Sequence, residues 1–421
     1  MELEKIVDSK TYREFKGADW PTYSDFVANN YTVSASIKKE LEKFVQLMQE
    51  QYENLSSSRT AELAAANQNR QGQIFYNKSY VGTARCREPW QTLGVNSNGN
   101  IFICSSPSWI PIFVGNLLES NNVYDILNCE QAKKIRLEIL QNRYYYCNSN
   151  ICKFFQAASP HTHKKTFSEQ DTQQLTLTND QDELCVNEIP RNLIFDFDPT
   201  CNFKCPSCRI EHQNFNNHHI IRPINNNISN KIKKLIIDEI KDQHISIRWA
   251  GGEPFMSEVY IELFDYIIEK NKKNITNIVQ TNGSLLKSKE NLLRRFLPYI
   301  SNLRISFDAG CEETYKLTRV GGNWNNLLDN VNFVKDLVKQ NNFRTQLSAD
   351  FVVQKNNYKD LPVFANLCRE LNLSMNIQKM WNWGTWELDV FDDMNVYDKK
   401  HPLYADVEKY FRLAKLPMAN N

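Results

Sequence analysis

The second half of the chain alternates short apolar runs with longer amphipathic stretches. Apolar and β-branched runs predict strands at 193–198, 244–249, 277–280, 303–308, 345–354 and 374–379. Between them, apolar positions recur at helical spacing over 229–241, 258–269, 288–299, 324–340 and 358–371. This succession of βα units predicts an α/β domain over 191–385, its parallel sheet curled into a partial barrel. Chemistry in such a barrel gathers at the C-terminal ends of the strands.

The first half has a different rhythm. Ile37, Leu41, Phe44, Val45, Met48 and Tyr52 form one apolar stripe, with Ser36 as N-cap, so 1–80 reads as a helical segment followed by a polar Ala/Asn/Gln connector. Over 81–158 the pattern is a small α+β module. Leu93-Gly94-Val95 leads to a turn at Ser97-Asn98-Gly99 and a second strand that ends at Cys104. A helix carrying Ala132, Ile135, Arg136, Ile139 and Leu140 follows and leads to Cys147 and Cys152; Cys129 falls within its pattern and reads as a small buried residue. Residues 159–190 read as a polar linker in which His161 and His163 are solvated, and 386–421 as a C-terminal tail.

Composition narrows the picture. With 421 residues, 50 Lys plus Arg and 49 Asp plus Glu, the chain is long enough for two or three domains and nearly neutral, which argues against a general nucleic-acid binder. No stretch reaches the ~20 apolar residues that span a bilayer, and the charged MELEKIVDSK start is not a signal peptide, so a cytoplasmic protein is expected. The 11 cysteines cluster at 86–152 and 201–208, with Cys185, Cys311 and Cys368 scattered, a distribution that suits metal or cluster ligation in a reducing compartment.

The densest chemistry lies at Asp196 to Arg209, DFDPTCNFKCPSCR. Cys201, Cys205 and Cys208 are separated by three and then two residues, on a loop after the first barrel strand. Three such thiolates suit an iron–sulfur cluster with one iron left open; the alternative is a zinc knuckle that borrows His212. Further motifs fall at later strand ends: Gly251-Gly252-Glu253-Pro254, Thr281-Asn282-Gly283, Ser306-Phe307-Asp308 and Gln354. Two glycines admit a close ligand, and the Glu253 carboxylate or nearby carbonyls can accept from an ammonium.

The C-x3-C-x2-C loop after a first strand, with GGEP, TNG and S-x-D in order at later strand ends, resembles the radical SAM enzymes. The upstream module is similar to the SPASM/twitch extension of that family: Cys86, Pro89-Trp90, Gly99, Cys104, Gly115-Asn116-Leu117, Asp125-Ile126-Leu127-Asn128, Cys147 and Cys152. The resemblance implies a partial (β/α)6 TIM-like barrel preceded by a small iron–sulfur domain. It implies a [4Fe-4S] cluster on Cys201, Cys205 and Cys208, whose open iron takes the amino and carboxylate groups of S-adenosylmethionine (SAM). Gly251, Gly252, Glu253 and Pro254 would serve the SAM amino group, Asn282 and Ser306 SAM or substrate, and Gln354 the adenine side. Asp308 would be a catalytic proton acceptor, a ribose contact or a structural carboxylate. Cys86, Cys104, Cys147 and Cys152 would complete one auxiliary [4Fe-4S] cluster, a zinc ribbon being the alternative. Two departures stand out: Ser207 occupies a usually aromatic position near the adenine, and the extension precedes the barrel instead of following it.

The implied activity is reductive cleavage of SAM to methionine and a 5′-deoxyadenosyl radical, which takes hydrogen from a substrate. An electron donor such as flavodoxin or ferredoxin is implied as partner. The substrate is expected to be a peptide or protein side chain, or else a small molecule such as a sugar or cofactor precursor. A binding scaffold held together by metal, without turnover, is the alternative from another class.

Overall fold

The computed structural model describes residues 85–107, 109–110, 112–141, 144, 146–147, 152, 166–167, 184–209, 212–381, 386 and 388–418. The helix expected over 37–52, the connector after it and most of the 159–190 linker, including His161 and His163, lie outside the described residues. The chain divides into two compact units. Residues 85–93, 98–188 and 219–231 belong to one, and 94–97, 189–218 and 232–418 to the other.

In the first unit β1 (Arg85–Cys86) pairs antiparallel with β5 (Thr166–Phe167), and β3 (Asn100–Phe102) with β4 (Gly115–Asn116). The strand β2 (Thr92–Val95) crosses the division between the units. The expected turn before β3 is a 3₁₀ turn at Ser97–Gly99, where Asn98 has φ 60° and Gly99 φ 79°. Gly99 and Asn98 tolerate that left-handed backbone, as few other residues do. Asn116 holds the turn shut: its Nδ2 donates to Asn98 O (2.9 Å) and its Oδ1 accepts from Leu118 N (2.8 Å). A Cβ on Gly115 would lie 2.8 Å from Ile126 Cγ2, which explains the glycine of the Gly-Asn-Leu run. Helices α1 (Glu88–Gln91), α2 (Val123–Leu127) and α3 (Glu130–Leu140) belong to the same unit.

Cys129 corrects a sequence expectation. It is the N-cap of α3, half-buried, its Sγ accepting from Ala132 N (3.4 Å) and donating to Val114 O (3.1 Å). The helix starts one residue later than the pattern suggested, and a cysteine can satisfy one of the open N–H groups there. Arg136 is fully buried without a carboxylate: it donates to Pro89 O (3.0 Å), Leu127 O (2.8 Å) and Leu184 O (2.7 Å). It thereby ties three chain-distant segments of the unit together.

The second unit is the barrel. Among the described residues its parallel strands follow chain order across the sheet: β6 (Asn192–Phe195), β7 (Ile245–Trp249), β8 (Ile275–Thr281), β9 (Ile300–Ser306), β10 (Gln346–Val353) and β11 (Ser374–Lys379). β6 and β11 are not neighbours in the sheet, so this is a partial (β/α)6 barrel. Alternating burial along β7 and β8 sends one face under the helices and the other toward the interior. Trp249 anchors the helical side: its ring meets Phe195 (5.1 Å) and Phe264 (4.8 Å), and Phe264 stacks on Phe296 (4.3 Å). Trp249 Nε1 donates to Asn277 Oδ1 (2.8 Å), so this buried polar atom is satisfied.

The helices between the strands match the 3.6-residue pattern closely. α5 (Glu258–Glu269), capped by Ser257, and α8 (Trp324–Gln340), capped by Asn323, have the expected limits. The helix expected at 229–241 instead begins earlier, as α4 (Ile221–Ile232), and continues as a π turn, Lys233–Ile237. Pro223 sits in its first turn, where a missing N–H costs nothing, and the Asn225–Asn227 run is helical because packing outweighs its weak propensity. The 288–299 stretch is a short α6 (Glu290–Phe296) flanked by 3₁₀ turns, Pro298 blocking its continuation. A 3₁₀ turn, Tyr358–Asp360, precedes α9 (Leu361–Leu371). Three helices were not anticipated: α7 (Glu312–Thr318), α10 (Leu388–Met394) and α11 (Tyr404–Leu413). α11 buries Val407 and Phe411, and its Asp406 accepts from Tyr358 Oη (2.8 Å), so the stretch read as a tail packs on the barrel unit.

Candidate active site

The cysteine loop is built on a backbone seam between the ends of β6 and β7. β6 stops at Phe195, earlier than expected, because Asp198 turns the chain: its Oδ1 accepts from Thr200 N (3.0 Å) and Thr200 Oγ1 (2.7 Å). The loop then hydrogen-bonds to GGEP. Gly252 N donates to Asp198 O (3.0 Å) and Glu253 N to Thr200 O (2.7 Å). A Cβ on Gly252 would fall 1.9 Å from Thr200 O, and Gly251 has φ 99°. The two glycines therefore serve first to let one loop lie directly against the other.

Glu253 is 1% exposed and faces inward. It accepts from Thr281 Oγ1 (2.6 Å), Asn282 N (2.6 Å) and Phe255 N (3.2 Å). Burial pushes its carboxyl up, and these three donors oppose the shift. The side chain thus holds the TNG loop after β8 in place. Pro254 is buried as well. In the TNG loop, Asn282 Oδ1 accepts from Ser284 N (2.9 Å), while its Nδ2 donates to Asn202 Oδ1 (2.8 Å) and makes a long contact of 3.9 Å to Cys201 Sγ.

Cys201 and Cys205 are buried and Cys208 is exposed. Cys201 N donates to Gln213 O (2.7 Å), and Cys208 N to Cys205 O (2.9 Å), a turn that brings the second and third cysteines to one side. Burial pushes the Cys201 thiol up to about 11, and it raises that of Cys205 as well. Two arginines act against it. Arg209 Nη2 lies 3.5 Å from Cys208 Sγ, its other bonds going to Pro199 O (2.7 Å) and Gly251 O (3.3 Å). Arg319 Nη1 lies 3.7 Å from Cys205 Sγ and its Nη2 pairs with Asp308 Oδ2 at 2.9 Å. Thiolates beside guanidinium groups, with a glycine cradle and carbonyls next to them, fit a ligated iron–sulfur cluster. His212, the donor a zinc knuckle would borrow, is exposed.

The later strand ends complete the mouth. Ser306 is the last residue of β9, 4% exposed, in register with Asp350. Asp308 has φ 52°, which ends the strand two residues earlier than expected. It accepts from Val352 N (2.7 Å) besides pairing with Arg319; burial raises its pKa and Arg319 lowers it. These are the contacts of a structural carboxylate, one of the three readings open to it. Gln354 is 2% exposed and its Nε2 has no hydrogen-bond partner, a buried donor fit for a ligand. Arg319 escaped sequence reasoning because α7, which delivers it, is a short helix without a long apolar stripe. The pair Gly321-Gly322 just after it was the available signal: a Cβ on Gly322 would lie 2.7 Å from Tyr315 and 2.9 Å from Phe203 of the cysteine loop.

In the first unit Cys104, Cys147 and Cys152 are buried and Cys86 half-buried. Burial raises the Cys104 and Cys147 thiols, and Cys86 and Cys152 raise both further by like charge. The structure thus brings four thiols from four chain positions within electrostatic reach of one another. Glu88 adds to the effect on Cys104, its Oε2 accepting from Thr92 Oγ1 (2.7 Å) and Ser105 Oγ (2.5 Å). Such a set is stable as thiolates only around a cation or cluster.

A barrel with a thiolate triad beside a glycine-lined strand end, together with a four-thiol module, defines an iron–sulfur protein with a ligand site at the barrel mouth. Residues 197–348 match the model of the radical SAM superfamily, and residues 86–153 that of SPASM, an iron–sulfur cluster-binding domain. The chain carries a radical SAM domain, with a SPASM domain ahead of it in the sequence. Its cofactors are those of the two domains: SAM, a SAM-binding [4Fe-4S] cluster and auxiliary iron–sulfur. A probable GTP 3′,8-cyclase of Methanocaldococcus jannaschii is 26% identical over 188 residues, 44% of this chain and 58% of that protein. Among solved structures, anSMEcpe with bound AdoMet aligns at TM-score 0.33 and 23% identity, over 45% of this chain and 50% of that one. SuiB of Streptococcus suis bound to S-adenosylmethionine aligns at TM-score 0.39 and 15% identity, over 70% and 62%. The chain thus spans less than two thirds of each of these relatives. No described helix is long and apolar enough to cross a membrane.

Proposed function

We propose that the protein is a radical SAM enzyme that takes a hydrogen atom from a peptide or protein side chain. The observation that carries this is the seam of cysteine loop, GGEP and TNG, which lays the loop of three thiols directly against the glycine backbone at one end of the barrel. Cys201, Cys205 and Cys208 hold the cluster; carbonyls of Gly251 and Gly252 receive the SAM ammonium, with Glu253 and Pro254 fixing that strand end. Asn282 and Ser306 line the path between SAM and substrate, and Gln354 Nε2 donates on the adenine side. Bound there, the cluster and SAM supply a 5′-deoxyadenosyl radical after one-electron reduction by a donor of the flavodoxin or ferredoxin kind. The barrel's own task is to orient both partners and exclude water. Cys86, Cys104, Cys147 and Cys152 hold one auxiliary [4Fe-4S] cluster, and the protein works in the reducing cytoplasm.

The peptide reading rests on the SPASM-type extension. A small-molecule substrate is the second reading, favoured by the sequence match to the probable GTP 3′,8-cyclase. A scaffold without turnover is the remaining alternative. Anaerobic reconstitution followed by dithionite and SAM separates these: the enzyme reading expects about eight irons per chain and 5′-deoxyadenosine. Zinc in place of iron, with SAM intact, would sink it. Incubation with candidate peptides encoded beside the protein, read by loss of hydrogen mass or a new cross-link, then divides peptide from small molecule.

A further inference from the structure

The donors around the cysteine loop are unequal. Cys201 receives only neutral amides, the backbone N–H of Phe203 at 3.4 Å and the side chain of Asn282 at 3.9 Å. Cys208 receives Arg209, whose other partners are carbonyls. Cys205 receives Arg319, whose charge is shared with the buried Asp308 (side chains 14% and 4% exposed). Asp308 is itself held by Val352 N at the end of β10, and Lys204 N donates to Val320 O (2.9 Å) beside Arg319. The chain Cys205–Arg319–Asp308–Val352 thus links a ligand sulfur to a barrel strand over 3.7, 2.9 and 2.7 Å.

We infer that Arg319 and Asp308 are an opposed pair of positioning residues that set the reduction potential of the cluster on Cys205. The inference rests on the cluster reading above. Reduction adds one electron, and so one negative charge, to the cluster; the electron comes from the external one-electron donor. A guanidinium on a ligand sulfur favours the reduced form, and a carboxylate on that guanidinium counters it. Low exposure keeps both effects from being screened. Asp308 acts on the cluster through Arg319, by partial neutralisation.

The test is a mediated potentiometric titration of the anaerobically reconstituted full chain, read by EPR. The SAM-binding cluster is recognised by the change in its signal when SAM is added. Arg319→Gln is expected to lower its reduction equilibrium constant about tenfold, ~59 mV for a one-electron couple. Asp308→Asn, which keeps an acceptor for Val352 N, is expected to raise it. Arg319→Lys is expected to stay closer to wild type than Arg319→Gln. A merely structural pair would lower cluster occupancy without shifts of opposite sign. Unchanged potentials, or shifts of the same sign in both variants, overturn the inference. If Arg319→Gln loads no iron, Asp308→Asn decides: a rise supports the pair, and no change or a fall overturns it. A wild-type chain with no SAM-responsive cluster overturns the underlying reading instead.

Discussion

The two cysteine sites gather several thiols, most of them buried, in opposite ways. At the barrel mouth Cys201, Cys205 and Cys208 come from eight consecutive residues, and the cations beside them are Arg209, the next residue along, and the chain-distant Arg319. In the first unit Cys86, Cys104, Cys147 and Cys152 come from points spread over the module, and an acid, Glu88, stands beside Cys104. On the ligand sets proposed above, the first arrangement would leave a coordination position open and stabilise added negative charge. The second would close its coordination with four sulfurs and make further charge unfavourable. An open, cation-braced cluster suits substrate-bound chemistry; a closed set in an acidic neighbourhood suits a structural or electron-holding role.

The strongest way to break this comparison is to remove the triad. Replacing Cys201, Cys205 and Cys208 by Ala should abolish 5′-deoxyadenosine formation and remove about half the iron, leaving roughly four irons per chain. If activity survives, the open site lies elsewhere. The complementary Cys147→Ala with Cys152→Ala should also lose about half the iron, while the SAM-responsive signal stays; full iron retention would refute a four-thiol auxiliary cluster. Gly252→Ala forces a Cβ against Thr200 O, 1.9 Å away in the present backbone, and should cost about 3 kcal/mol by parting the two loops. Its thermal unfolding should shift well below wild type, and the triad should load less iron than the four-thiol site. Arg136→Met should cost about 2 kcal/mol, since the carbonyls of Pro89, Leu127 and Leu184 lose their donor. That loss should appear in the first unit's proteolysis rate and leave SAM cleavage nearly intact. The smallest effect is kinetic: in metal-stripped protein at pH 8, iodoacetamide should reach exposed Cys208 before Cys201. Cys201 should react faster only as pH rises toward its thiol pKa of about 11, because alkylation needs the thiolate.

Much of the barrel was legible because its code is local. β11, α5 and α8 have the predicted limits, since apolar periodicity and caps act within a few residues. The failures are places where distant contacts outweigh the local pattern. The asparagine run 225–227 lies in α4, against its own propensity. α7 has seven residues and too little periodicity to announce itself. Asp308 adopts φ 52° because Arg319 and Val352 N hold it there, something neighbouring sequence does not encode. Cys129 looked like core and proved to be a cap, a shift of one residue that periodicity does not resolve.

The identity of the ligating atoms was carried by covalent order. Three thiols within eight residues must share a loop whatever the rest of the chain does, and the glycines beside Glu253 mark a backbone that must be approached closely. The electrostatics of those atoms were not. The partner of Cys205 stands 114 residues away, and Glu253 turns inward to Thr281 and Asn282, 28 and 29 residues on. Such pairings arise only when successive βα units bring their strand ends to one side of a sheet. Charge acts over ångströms in space, not over positions along the chain. The chain's order therefore chose the thiols and the neighbouring Arg209, and the stacking of successive βα units brought Arg319 to them.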